Sequence, residues 1–151
     1  MDEELTFQIE KIVDEFNQEY SLAMRYFDNL LRLIEMINEL LSLESKEIKK
    51  EKNDFNLIIK KNNEIISKLV ELKKEIMRAR LNVPDVMVNL NDLIKKLRIY
   101  NEAYKKYEHS EKEFNAFMKH YNMTLDEVLQ SNKNLDVEFE NMIFEPLMKL
   151  L

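Results

Sequence analysis

His109 and His120 are the only histidines in this chain of 151 residues, which has no cysteine at all. Imidazole is the side chain whose ordinary pKa lies nearest neutrality, so acid–base or metal chemistry would be sought there first. Carboxylate-bridged di-metal bundles place Glu three residues before His on two helices. Lys106 and Phe117 occupy those places, so the pattern fails at both histidines. Zinc would need thiolates or clustered imidazoles. Neither a resident metal nor any other cofactor is expected. Serine nucleophiles in a G-x-S-x-G elbow need glycine, and the chain has none. These residues point to a non-enzymatic protein with no catalytic residues.

Charge excludes further classes. The formal net charge is −6 and the isoelectric point about 5.1, opposite to the basic footprint of a nucleic-acid binder. One local exception is the set Lys46, Lys49, Lys50, Lys52, Lys60 and Lys61. It supports an RNA-binding accessory subunit only as the least favoured alternative. Tyr100, Tyr104 and Tyr107 could stack on bases, but they lie on an apolar helical stripe. Core packing with hydroxyls at the rim is the expectation for them. No uncharged apolar run reaches the length of a membrane span. The acidic opening Met1-Asp2-Glu3-Glu4 is unlike a secretory signal, and a cytoplasmic location without membrane partners is expected.

The elements that would position any site are helices. Average glycine usage is about 7%, and its absence here removes the default residue for tight hairpins and left-handed turns. Apolar residues recur at steps of three and four: Val13, Phe16, Tyr20, Ala23, Phe27, Leu30, Ile34, Ile37 and Leu41. The same register continues through Ile48, Phe55, Ile58, Ile65, Leu69, Leu72 and Ile76, with polar slots at Glu44, Glu51 and Asn62. Such spacing is a heptad stripe. Leu31, Leu33, Met36, Leu40 and Leu43 widen it to a face that meets more than one neighbour.

Residues 1–43 carry ten acids and three bases, and residues 44–81 seven acids and eleven bases. An antiparallel hairpin turning within 43–54 would bring those signs together, so it is favoured over one continuous rod. Pro84 opens a further run, from Val86 to Tyr121, and Asn82 is the expected left-handed cap before it. Thr124-Leu125-Asp126-Glu127 reads as a capping box, with Met123 and Val128 as its hydrophobic staple.

The expected fold is therefore an all-α, elongated antiparallel bundle or coiled coil. It has three long helices, about 4–43, 46–81 and 84–121, forming one unit over 1–121. A short helix, 125–131, and a C-terminal helical segment, 135–151, complete it. Pro146 should kink that last segment, and residues 122–151 are either packed on the bundle or mobile.

Protein interaction is the function class left. Asn62, a polar residue in a heptad core slot, is the candidate register-setting residue. Phe139, Met142, Ile143, Phe144, Leu147 and Met148 are the candidate partner-binding residues, because apolar faces rich in methionine adapt to partners. The favoured reading is an adaptor or chaperone that holds a partner helix on an apolar stripe. The alternative is a structural coiled-coil subunit of a fixed assembly, including a homodimer.

Overall fold

The computed structural model describes residues 2–50 and 53–150. It is an all-α helical bundle with no strand among those residues. Helix α1, Glu3–Ile48, opens on Asp2, whose side chain accepts from the Glu4 backbone N–H at 3.1 Å. Glu3 and Glu4 favour the positive end of its dipole, and no glycine or proline interrupts its 46 residues. Helix α2, Phe55–Arg78, is capped by Asp54, which accepts from the Leu57 N–H. Helix α3, Pro84–His109, starts on the proline, whose missing N–H costs nothing in a first turn.

The chain turns back between α1 and α2, as a hairpin. Helix α1 runs to Ile48 and α2 starts at Phe55, not at 46. Ile48 is buried in the core, and Asp54 supplies the first strong cap. Glu51 and Lys52 lie outside the described residues. The charge argument for the hairpin is not what holds it. Among the described residues, the ion pairs made by α2 are Lys68–Glu71 and Arg78–Glu75, both internal to it. Apolar contact does the work: Leu30, Ile34, Ile37 and Leu41 face Ile58, Ile65, Leu69, Leu72 and Ile76 in one continuous core.

Two turns solve the missing-glycine problem differently from expectation. After α2 it is Arg80, not Asn82, that takes the left-handed conformation, with φ 55°. The Leu81 N–H reaches Ile76 O and the Arg80 N–H reaches Met77 O, the paired bonds of a Schellman stop. The other left-handed residue is Asn122, just before the Thr124 cap.

The third expected helix does not run to 121. It breaks at Ser110, which is extended and caps α4, Glu111–Met118, through Oγ to the Glu113 N–H. Helix α4 doubles back along α3: Phe114 meets Tyr107 edge-on at 5.4 Å, Lys106 Nζ lies over the Phe117 ring, and Phe117 lines one groove with Arg98 and Ile99. A 3-10 turn, Lys119–Tyr121, leads to α5, Leu125–Lys133, whose Thr124–Glu127 capping box is present in both directions. Helix α6, Leu135–Phe139, a π turn, Glu140–Phe144, and α7, Glu145–Leu150, follow almost without interruption. This C-terminal rod packs between α1 and α3 and runs antiparallel to both. Pro146 cannot donate to the carbonyl of Met142. The Glu145 N–H reaches back five residues to Glu140 O, and Asn89 Nδ2 donates to Met142 O at 3.1 Å. The π turn and Asn89 together absorb the proline.

Candidate functional site: a projecting arm and a buried polar layer

Helix α1 has two halves. From Leu30 onward its stripe is buried. Before Leu30 it has no bundle beside it: residues 2–25 are exposed except for half-buried Thr6, and only Tyr26 and Phe27 begin to be covered. Residues 3–29 thus form an arm of about 40 Å at ~1.5 Å per residue. The apolar stripe continues along the arm in the same register and is open to solvent. Ile12 and Phe16 are each 65% exposed and Tyr20 60%. The Phe16 and Tyr20 rings stack on one another, 6.5 Å apart, and both are open to solvent. Because the register is shared, the arm's stripe points to the same side as the bundle interior. An occupant there would prolong the bundle.

The charge on the arm is one-sided. Residues 2–29 hold eight acids and only two bases. Glu3, Glu10 and Glu19 border the stripe, whereas Lys11 and Arg25 fall on the opposite helix face, fourteen residues apart. A second, shorter apolar feature lies between α1 and α2. It is a groove of about 850 Å³ walled by Met36, Leu40, Leu43 and Ile59, with Glu39 and Glu64 balanced by Lys60 and Lys68 at its rim.

The candidate residues of the C-terminal segment are divided by their positions. Phe139, Ile143 and Leu147 are fully buried core residues. Phe144 is half-buried, and only Met142 and Met148 are exposed. One side of the segment closes the bundle, and Met142 and Met148 remain on its exposed side. The favoured reading asks for an open apolar stripe, but the sequence pattern names no residue of the arm as partner-binding, because the stripe runs unchanged from the arm into the core.

Asn62 is buried at the centre of a polar layer drawn from four helices. Asn132 of α5 donates to Glu44 Oε1 of α1 at 2.5 Å, and its Oδ1 accepts from the Tyr104 hydroxyl at 2.9 Å and from Asn62 Nδ2 at 3.0 Å. Asn62 Nδ2 also donates to Asn101 Oδ1 at 2.8 Å, and Asn101 in turn to Asn63. The Tyr104 hydroxyl is therefore inside the core, not at its rim. Asn62 Oδ1 then faces the Glu44 carboxyl, with Oε2 at 2.9 Å. Turning that amide over only moves the conflict, because its oxygen would face the Oδ1 atoms of Asn132 and Asn101. A protonated Glu44, donating to an amide oxygen, satisfies the layer. Burial supplies that proton by pushing the carboxyl up to about 8, against smaller opposing effects of Asn132 and Lys61. Burial likewise raises the Tyr104 hydroxyl above its usual range. The layer is filled by its own members and ties α1, α2, α3 and α5 into one register.

Elsewhere, His109 is exposed, with Glu113 at 3.9 Å, and His120 is exposed on the 3-10 turn. Among the described residues, no three His, Cys, Asp or Glu side chains gather where a metal ion could sit. Nor is any helix among them long and apolar enough to cross a membrane. Lys46, Lys49, Lys50 and Lys60 are exposed, Lys61 is half-buried beside Glu44, and Lys52 lies outside the described residues. Compared with known protein families, curated proteins and solved structures, the chain matches none.

Proposed function

We propose that this chain is a non-enzymatic protein–protein interaction module, an adaptor or chaperone that holds a partner helix on the apolar stripe of the α1 arm. The observation that carries this reading is the open stripe from Ile9 to Tyr20, in register with stripe residues that are buried from Leu30 to Leu41. Contiguous exposed apolar surface on this scale marks an interaction site. A heptad stripe is matched by another helix. The second reading, a structural coiled-coil subunit of a fixed assembly, draws on the same continuity of register, with the partner permanent instead of exchangeable.

The test is site-specific photo-cross-linking in the native host, with a photoreactive side chain at Phe16 or, on the opposite face, at Lys11. A discrete adduct from position 16 that is absent from position 11 and lost on Tyr20→Asp is the expected result. No adduct from position 16 would overturn the reading. Loss of the adduct when the lysate is diluted before irradiation supports the adaptor, and an adduct that survives that dilution supports the fixed subunit.

A further inference from the structure

The arm's charge selects among the helices that could cover its stripe. We infer that the occupant is a basic amphipathic helix from a different polypeptide, with Lys or Arg flanking its own apolar seam. The inference rests on the reading that the arm pairs with a helix. It adds what chemistry that helix has.

Two observations carry it. The first is the placement of charge. In a two-stranded pairing, the residues bordering the seam face the partner's borders and set its identity. Here the charged border residues are Glu3, Glu10 and Glu19, while Lys11 and Arg25 stand on the far side, out of reach of a helix on the seam. A basic border meets attraction at each of these places and an acidic border meets repulsion. The groove between α1 and α2 shows the contrast, since its rim mixes both signs and selects neither.

The second observation concerns a second copy of this chain. A parallel copy is excluded by shape, because the stripe points to the side on which the bundle stands, and the two bundles would collide. An antiparallel copy centred on the Phe16–Tyr20 pair would keep the two bundles at opposite ends. It would, however, set Glu19 of each arm against the other and bring together two arms of net charge −6. Self-pairing is therefore opposed by the residues that favour a basic partner.

The experiment titrates the full chain with two synthetic helical peptides of about four heptads. Both have Ile and Leu at the seam, one with Lys and the other with Glu at the borders. Binding is read by fluorescence anisotropy at low and high salt. A third peptide of the same Lys content with a scrambled seam is the control. The Lys-bordered peptide should bind at least about tenfold tighter at low salt, several border pairs each adding a little. The gap should narrow at high salt. The double variant Glu10→Lys/Glu19→Lys should reverse the preference, and Phe16→Asp should weaken both peptides.

Equal affinity for the two seam peptides would overturn the charge selection and leave helix pairing on the arm standing. Binding of neither would overturn the underlying reading as well. Binding of the scrambled control, or no effect of Phe16→Asp, would reduce the attraction to acidic surface in general and contradict the inference. Dimerisation of the chain alone, lost on Phe16→Asp, would make a second copy the occupant and also contradict it. The arm lies outside the bundle core, so an unchanged melting temperature of the variants checks that the fold is intact.

Discussion

The two halves of α1 share one helix, one heptad register and similar apolar content, yet one half is core and the other is bare. Leu30, Ile34, Ile37 and Leu41 are buried, while Val13, Phe16 and Tyr20, at equivalent register positions, are exposed. Periodicity specifies which face of a helix needs cover. What provides the cover is decided by chain length elsewhere. Helix α2 has 24 residues against the 46 of α1, and it pairs with the C-terminal half of α1 before the chain turns away. The remainder of α1 has lost its intramolecular partner but kept its stripe.

The comparison breaks most sharply at the two kinds of carboxyl on α1. Those of the arm are at the surface, while Glu44 is buried and raised to about 8. Between its ordinary value of 4.5 and about 8, the folded chain keeps a proton that the unfolded chain has released. Folding stability from this group is then complete below about 4.5 and falls as pH rises, levelling off above 8. At ~1.4 kcal/mol per unit the loss is up to about 5 kcal/mol. Chemical denaturation across that range should show the decline, and Glu44→Gln should flatten it, whereas Glu10→Gln should leave it unaltered. A decline that persists in Glu44→Gln would place the titrating group elsewhere.

Truncation sharpens the same contrast. Leu30→Ala and Ile65→Ala should each cost about 2–5 kcal/mol of bundle stability, because both side chains are buried in a packed core. Phe16→Ala should change it by less than about 0.5 kcal/mol. Comparable losses at Leu30 and Phe16 would mean that the arm is packed. Helix caps give a smaller version. Thr124→Ala should cost about 0.5–2 kcal/mol through the lost capping box, while Asp2→Ala, at the tip of the arm, should leave the unfolding midpoint unmoved. Smallest is Arg80→Gly, at the end of the bundle from which the arm emerges. Gly should gain roughly 0.4–1 kcal/mol, by removing a Cβ from a left-handed position.

The fold class and most of the core were legible, because heptad spacing and the absence of glycine leave little but helices. So were the Pro84 start and the Thr124 capping box, since each has a local signature. The break at Ser110 was hidden by arithmetic: Tyr107 and Phe114 are seven residues apart, so the reversal of α4 preserves the apparent register. The string Ser110-Glu111-Lys112-Glu113 carried the overlooked capping signal. Of the polar layer, Glu44 and Asn62 stood out as polar residues in core slots. Asn101 lies beside the stripe, and Asn132 sits in a string that reads as a surface turn, so their burial depends on packing that no local pattern encodes. The arm was illegible for the same reason. Its sequence is that of a core helix, and only the position of the other helices exposes it.

The central claim is that residues 3–29 lack a partner within the chain, and amide hydrogen exchange on the dilute, full-length protein tests it most directly. Most helical stability in proteins comes from tertiary packing of an apolar face, which the arm lacks, so its amides should exchange orders of magnitude faster than those of residues 30–48 of the same helix. Protection of the arm equal to that of the core, in a chain shown to be monomeric under the same conditions, would contradict the account.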